Sequence, residues 1–264
     1  LVPKANPSNY GYETAVEPNV GGRRMYWPRG RGWGGSSSIN AMVYIRGHAA
    51  DYDQWAQAGN SGWSFAEVLP YFKRAESLEG DGDEGYHGYD GPLAVSKSDR
   101  RDDILLDRFI EAGQQAGFAL TDDFNGRQQE GFSRYEHTMK GARRCSAAKA
   151  YLHPAKDRPN LTIVSHASVD RIMFTNHRAT AIDVVVKGQK ETFVARKEII
   201  LCAGALNSPQ ILLRSGVGPA DEMQPHGIEV VHALPGVGQN LQDHIGVVSQ
   251  FACIVRASQS WTTC

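Results

Sequence analysis

A run of small residues near the amino terminus constrains this chain more than any other feature. Gly34 to Ser38 reads Gly-Gly-Ser-Ser-Ser, and it leads into Ile39 to Ile45, a segment compatible with a helix. Small side chains leave backbone N–H groups uncovered, and the first N–H groups of a helix have no partner within that helix. The pattern therefore predicts an anion-binding loop, although many surface loops share this composition.

Length and charge exclude several classes of protein. The 264 residues can bury the core of one or two domains, and a net charge of −1 gives no attraction to nucleic acid or to an anionic membrane. No apolar run approaches the ~20 residues that a membrane span needs. The four cysteines lack the spacing of a zinc site or a disulfide framework. We expect a cytoplasmic protein, and association with a membrane surface stays open.

Hydrophobic periodicity predicts a mixed α/β chain. Helices are expected over 38–46, 51–57, from Ser64 onward, 104–117 and 207–214, with Pro209 early in the last one. Ser64 and Glu67 form a capping-box pattern, and Gly117 is a plausible helix stop. Short strands are expected over 161–164, 169–174, 179–186, 191–194 and 197–202, the first four as a meander and the last as a buried strand, with a further strand within 132–139.

Three stretches of the sequence resemble the signatures of the glucose–methanol–choline (GMC) oxidoreductases, which bind FAD. The first signature is matched by Gly30, Arg31, Trp33, Gly34, Gly35, Ser36, Ser37, Ile39, Asn40, Tyr44, Gly47 and Asp53. The second is matched by Gly204-Ala205, Ser208-Pro209, Ile211-Leu212 and Ser215 to Gly218. The third covers Pro235 to His244. Within the family, the sequence looks most like bacterial choline and alcohol dehydrogenases.

This resemblance implies an α/β (mixed α+β) fold in which an FAD-binding Rossmann-like domain of GMC type is interleaved with a substrate-binding cap domain. Residues 1–63 and 144–248 would belong to the FAD-binding domain, with a cofactor-lining segment over 30–47. Residues 64–143 would belong to the cap. Residues 249–264 would begin a second cap segment or form a truncated tail.

The resemblance also implies that this chain is the central segment of a longer protein. The sequence contains no Gly-x-Gly-x-x-Gly fingerprint after a leading strand, so the βαβ unit that precedes this segment in the family is missing. The catalytic histidine of the family, with its His or Asn partner, lies beyond the last residue. No catalytic residue is therefore assigned within the chain.

By resemblance, a set of residues is expected to bind FAD. They are Gly32, Gly34, Gly35, Ser36, Asn40, Ala41, Met42, Val43, Val169, Ala203, Gly204 and Asp243. The main chain of Ala41, Met42 and Val43 would lie along the isoalloxazine ring, and the main chain of Val169 would bind the adenine edge. Some relatives carry a histidine at the position of Ile39 and link it covalently to the flavin, so FAD should be bound non-covalently here.

Simpler interpretations stay open for these residues. Asn40 could be a polar residue at a helix start, and Ala41 to Val43 could be core packing. Val169 could be an ordinary strand residue, and Ala203 with Gly204 a simple tight turn. Asp243 and His244 are adjacent, so their side chains diverge and they do not form an acid/base pair. The other histidines have no partner at metal or triad spacing and are interpreted as bystanders, so no metal is expected.

The function implied by the resemblance is oxidation of a primary alcohol or a choline-like substrate, with hydride transfer to flavin N5. The partner would be a small-molecule alcohol together with an electron acceptor that the sequence does not identify. Two alternatives stay open. One is a GMC-fold lyase, either a hydroxynitrile lyase or a fatty-acid photodecarboxylase, and the other is a catalytically incomplete fragment.

Overall fold

The computed structural model describes residues 3–97, 104–243 and 246. Helices and strands are mixed along the chain, which confirms the predicted α/β class. The chain forms two compact units, Leu1–Thr162 and Ile163–Cys264. The longest helix among the described residues has 12 residues, and no described helix is long and apolar enough to cross a bilayer.

The first unit combines short strands with helices of one to three turns. Its strands are β1 (Tyr12–Glu13), β2 (Tyr26–Trp27), β3 (Val43–Tyr44), β4 (Glu76–Glu79), β5 (Leu93–Lys97), β6 (Glu136–His137), β7 (Met139–Lys140) and β8 (Arg143–Arg144). Its helices are α1 (Ala49–Gln57), α2 (Phe65–Ala75), α3 (Ile104–Gln115) and α4 (His153–Ala155), the last preceded by a π-helical turn, Ala148–Leu152. 3-10 turns are formed by Pro18–Val20 and Gly35–Ser38.

A four-stranded sheet in the order β3-β6-β5-β4 organises this unit. β4 and β5 are parallel, whereas β6 runs antiparallel to both β5 and β3. Val95 on β5 is 0% exposed and Leu78 on β4 is 5% exposed, so the core of the unit lies against these two strands. Only residues 39–42 separate the small-residue run from β3, so the sheet helps to position that run.

Local sequence signals account for the helices of this unit. Glu67 Oε2 accepts hydrogen bonds from the N–H (3.1 Å) and the hydroxyl (2.5 Å) of Ser64, so the predicted capping box is confirmed. α1 was predicted over 51–57 and begins two residues earlier, at Ala49. α3 ends at Gln115, just before Gly117, whose φ of +89° stops the helix as expected.

The second unit is built on the predicted meander. β9 (Ala167–Thr175), β10 (Arg178–Val186) and β11 (Gln189–Val194) form an antiparallel sheet in the order β11-β10-β9, which confirms the last three of the four predicted strands. The unit also contains α5 (Gly204–Arg214), β12 (Val217–Gly218), α6 (Ala220–Met223), a 3-10 turn (Gln224–His226) and β13 (His232–Ala233). β12 and β13 are parallel.

Ser215 and Gly216, both within the second signature, join the end of α5 to its neighbours. The Ile172 N–H of β9 donates to Ser215 Oγ (2.8 Å), and that hydroxyl donates to Ile211 O (2.5 Å). Gly216 has a φ of +83°, and a Cβ there would lie 2.3 Å from Glu229 O. This part of the signature therefore has a structural role within the unit.

Four of the predicted secondary-structure features are wrong. Residues 38–46 do not form a helix, because the chain follows a 3-10 turn and then pairs as β3 with β6. Residues 161–164 and 197–202 form no strand and pair with no described strand, and Ile200 is 76% exposed. α5 begins at Gly204, so Pro209 lies inside the helix and removes the bond to Ala205 O rather than occupying a free first-turn position. The strand expected within 132–139 is confirmed only at Glu136–His137.

Candidate functional site

The small-residue run forms a tight loop whose backbone requires glycine. Gly34 and Gly35 have φ angles of +85° and +53°, a region that other residues seldom adopt. The Ser37 hydroxyl donates to Gly34 O (2.5 Å), and the Ser38 hydroxyl donates to Trp33 O (2.8 Å). A Cβ on Gly30 would lie 2.1 Å from Gly35 O, so the chain at Gly30 packs directly against the backbone of Gly35.

One face of this loop is uncovered. Ser36, Asn40, Ala41 and Val43 are exposed, and a Cβ on Gly35 would meet no atom within 4 Å. Within the described residues, the backbone N–H groups of Gly34 and Ala41 donate to no protein acceptor. A polar ligand with acceptor oxygens or ring nitrogens fits such a surface, because it can satisfy donors that the protein leaves open.

The sequence-based reason for an anion site here is nevertheless wrong in one respect. It relied on a helix over Ile39 to Ile45, whose dipole would favour negative charge. The structure has a four-residue 3-10 turn, Gly35–Ser38, followed by extended chain, so residues 39–45 contribute no helix dipole. Individual N–H and side-chain donors of the loop are the groups that could bind a ligand.

Residues 138–147 hold the far end of the loop. Thr138 N donates to Met42 O (2.8 Å), and Ala147 N donates to Ser37 Oγ (2.9 Å). Met42 has a φ of +65°, and its N–H donates to Asn40 Oδ1 (3.1 Å) in a local turn. Together these bonds give Asn40 to Val43 a fixed backbone path, which a simple core-packing role would not require.

The remaining candidate cofactor residues lie in the second unit. Val169 is half-buried on β9, which is the edge strand of its sheet among the described residues. Ala203 and Gly204 are exposed at the first turn of α5, Gly204 has a φ of +88°, and Ala203 N donates to Ser208 Oγ (3.1 Å). Asp243 is exposed, whereas His244 lies outside the described residues.

The first unit therefore brings Gly32, Gly34, Gly35, Ser36 and the Asn40–Val43 segment together on one continuous loop. In the second unit, an edge strand and a helix start provide the accessible backbone that the expected ADP contacts need. Their assignment to a cofactor stays a prediction, as does the division of the chain into cofactor and cap segments.

Sequence reasoning missed a buried ionic cluster in the first unit. His87 is 1% exposed, its Nδ1 lies 3.1 Å from both carboxylate oxygens of Glu76, and its Nε2 lies 2.7 Å from Asp123 Oδ2. Arg46 Nη2 donates to Glu76 Oε2 (2.8 Å), with both side chains almost fully buried. These partners are far apart in the sequence, so no local spacing could have predicted them. His87, interpreted from the sequence as a surface or core bystander, lies in the core with a carboxylate at each ring nitrogen.

The cluster holds His87 in its charged form. Burial lowers the pKa of His87, but the hydrogen bonds and negative charges of Asp123 and Glu76 outweigh it and raise that pKa to about 9. Burial raises the pKa of the nearby Glu136 carboxyl, which the charge of Asp123 raises further. An imidazolium therefore lies between two carboxylates.

Ligand atoms of Glu76, His87 and Glu136 lie within 4.8 Å of one another, and Glu136 Oε1 has no partner among the described residues. That spacing would suit a metal ion. However, both ring nitrogens of His87 already face carboxylates, and Arg46 supplies a second buried positive charge. The cationic side chains thus occupy the positions that a metal would need, so we interpret the cluster as a structural salt-bridge network.

Comparison with known proteins identifies the relatives of this chain. A family model described as GMC oxidoreductase matches residues 12–246. The oxygen-dependent choline dehydrogenase of Brucella anthropi is 49% identical over 245 residues, which cover 93% of this chain and 44% of that protein. The chain thus spans less than half the length of that relative.

Two solved structures share the fold. Pyridoxine 4-oxidase from Mesorbium loti matches with a TM-score of 0.82 at 34% identity, over 87% of this chain and 45% of that one. An FAD-dependent oxidoreductase from Chaetomium thermophilum matches with a TM-score of 0.79 at 30% identity, over 88% of this chain and 42% of that one. The likeness covers both compact units.

The close approach at Gly30 predicts that Gly30→Ala displaces the loop. Overpacking of this kind costs about 1–3 kcal/mol of unfolding free energy, measurable by urea denaturation followed by far-UV circular dichroism. Gly236→Ala is the matched control, because a Cβ at Gly236 would meet no atom within 4 Å. Equal stability of the two variants would show that the loop does not pack against Gly30.

The raised pKa of His87 predicts a stability that depends on pH. The folded pKa of about 9 exceeds the reference value of 6.5, so the stabilisation is complete below about pH 6.5 and is lost as the pH rises through 9. The loss should reach at most about 3 kcal/mol.

Urea denaturation at pH 6.5, 7.5 and 9 checks this expectation. His87→Gln should flatten the profile, and Asp123→Asn should move the loss to lower pH, because it removes one of the two negative charges that raise the pKa of His87. His226→Gln, at an exposed position, is the control and should leave the profile unchanged. An unchanged profile in His87→Gln would contradict the assignment.

Proposed function

Because the chain belongs to the GMC oxidoreductase family, we propose that the complete protein is an FAD-dependent oxidoreductase that oxidises the CH–OH group of a primary alcohol or a choline-like substrate. The observation that carries this proposal is the 49% identity to a choline dehydrogenase, sustained over 93% of the chain. The three proteins compared above are named as a dehydrogenase, an oxidase and an FAD-dependent oxidoreductase. These names favour hydride transfer over the lyase alternative.

The residues that we propose to hold FAD fit a dinucleotide with a flavin ring. The loop residues Gly32, Gly34, Gly35 and Ser36 present accessible backbone, and the N–H groups of Gly34 and Ala41 are open donors for acceptor atoms of the cofactor. We assign Val169, Ala203, Gly204 and Asp243 to the ADP portion.

FAD, when bound, supplies a hydride acceptor at N5 of the flavin. The contribution of this chain to the reaction is positioning. The fixed path of Asn40 to Val43 would orient the flavin ring, because a backbone held by hydrogen bonds at Met42 and Ser37 does not have to reorganise on binding. The base that takes the hydroxyl proton would be the family's histidine, outside residues 1–264.

Anaerobic addition of choline to the purified complete protein tests the reaction. The visible absorption of the flavin should bleach as hydride is transferred, and the aldehyde product should appear in equimolar amount. Oxygen, quinone and artificial acceptors are then added separately to identify which one restores the oxidised spectrum. Blue light with a fatty acid is the control for the lyase alternative, and release of carbon dioxide without aldehyde formation would contradict the proposal.

We further propose that FAD is bound non-covalently, since the Ile39 side chain has no atom that can bond to the flavin. Acid precipitation of the holoprotein should leave the yellow cofactor in the supernatant, with a mass spectrum of unmodified FAD. Ile39→His is an informative companion variant, because histidine supplies a ring nitrogen at this position. Flavin that stays in the pellet of the unaltered protein would contradict non-covalent binding.

A further inference from the structure

Arg144 lies beside the candidate cofactor loop and contacts it at two points. Its Nη1 donates to Asn40 Oδ1 at 2.7 Å and to Ser37 O at 3.1 Å. The sequence gap to Asn40 is 104 residues, so no local motif connects the two side chains. Arg144 is half-buried on β8, whereas Asn40 is exposed.

These contacts determine which way the Asn40 amide faces. Asn40 Oδ1 accepts hydrogen bonds from Arg144 Nη1 and from the Met42 N–H. A flipped amide would place its NH2 group against the Arg144 and Met42 donors. A donor cannot hydrogen-bond to another donor, so this orientation is excluded. The carboxamide oxygen is therefore committed to the protein, and the Nδ2 group is the free end.

Asn40 Nδ2 donates to no other group among the described residues, and it lies at the surface of the uncovered face. A donor fixed in this way has two N–H bonds available for an acceptor on a ligand. The acceptor atoms of FAD include the pyrophosphate oxygens, the ribityl hydroxyls and the flavin carbonyl oxygens. Any of these could receive a hydrogen bond from Nδ2.

We propose that Arg144 is a positioning residue, which fixes the Asn40 amide so that Nδ2 donates a hydrogen bond to FAD. The inference rests on the proposed function, because it requires FAD on this loop. Its chemistry is specific: Arg144 acts through Asn40 and not by contact with the cofactor. The positive charge of Arg144 is needed only to hold Oδ1 and Ser37 O.

Asn40→Asp tests the role of Nδ2 in the complete holoprotein. Aspartate has the same shape and keeps both bonds at Oδ1, but it has no donor. The dissociation constant of FAD, measured by titration of the apoprotein with flavin fluorescence, should rise about 3- to 10-fold, with no loss of thermal stability. Repeating the titration at high salt screens the added charge, so a loss of affinity that persists there comes from the missing donor.

A double-mutant cycle tests the role of Arg144. Arg144→Gln should weaken FAD binding several-fold in the unaltered protein, but much less when Asn40 is already alanine, because only the lost bond to Ser37 O then contributes. Arg143→Gln is the matched control: Arg143 is the exposed neighbour, and its side chain makes no hydrogen bond or ion pair among the described residues. A purely structural role of Arg144 would instead weaken binding equally in both backgrounds.

The outcomes separate the two proposals. If the unaltered complete protein binds no FAD, both the proposed function and this inference are overturned. If it binds FAD and Asn40→Asp binds equally well, only the inference is overturned. Additive effects of Arg144→Gln and Asn40→Ala would likewise overturn the positioning role while leaving the FAD assignment in place.

Discussion

The buried ion pair between Arg46 and Glu76 is the interaction on which the first unit depends. Arg46 closely follows β3, Glu76 begins β4, and these are the outer strands of the four-stranded sheet. Arg46 also receives its local support from Asn125, whose Oδ1 accepts from Arg46 N (2.8 Å) and whose Nδ2 donates to Tyr44 O (3.1 Å). Because an unpartnered buried charge costs about 3–5 kcal/mol, this ion pair favours one specific arrangement of the residues that flank β3 and begin β4.

The candidate cofactor loop takes its position from this arrangement. Its last residues run into β3, which pairs with β6, and β6 leads through Thr138 to the β7–β8 hairpin. Thr138 and Arg144 of that region hydrogen-bond back to Met42, Ser37 and Asn40. The far end of the loop is thus fixed by segments about 100 residues away.

Features that arise from neighbouring residues could be predicted from the sequence. The capping box at Ser64 and Glu67, the helix stop at Gly117 and the meander over β9–β11 all depend on residues within a few positions of one another. The strand expected over 197–202 was wrong because a strand requires a partner, and no described strand pairs with it. The Arg46 network and the Arg144–Asn40 contact join distant segments, and only the folded chain reveals them. The loop could be located from the sequence by its resemblance to a family signature. Its open donors, the N–H groups of Gly34 and Ala41, were identified only in the structure.

The relatives bear on which part of the proposed chemistry this chain would carry. Proteins named for choline and for pyridoxine match it over nearly all of its length, although those two substrates share only an alcohol group. A fold can retain its cofactor site while its substrate site varies, so we propose that the likeness to both proteins reflects a shared cofactor site. A rigid loop with open backbone donors suits such a shared site, because the geometry of hydride transfer has to be the same for every alcohol. Substrate choice must then depend on side chains that surround the reacting carbon, and those can change without disturbing the Arg46 network or the loop that it supports.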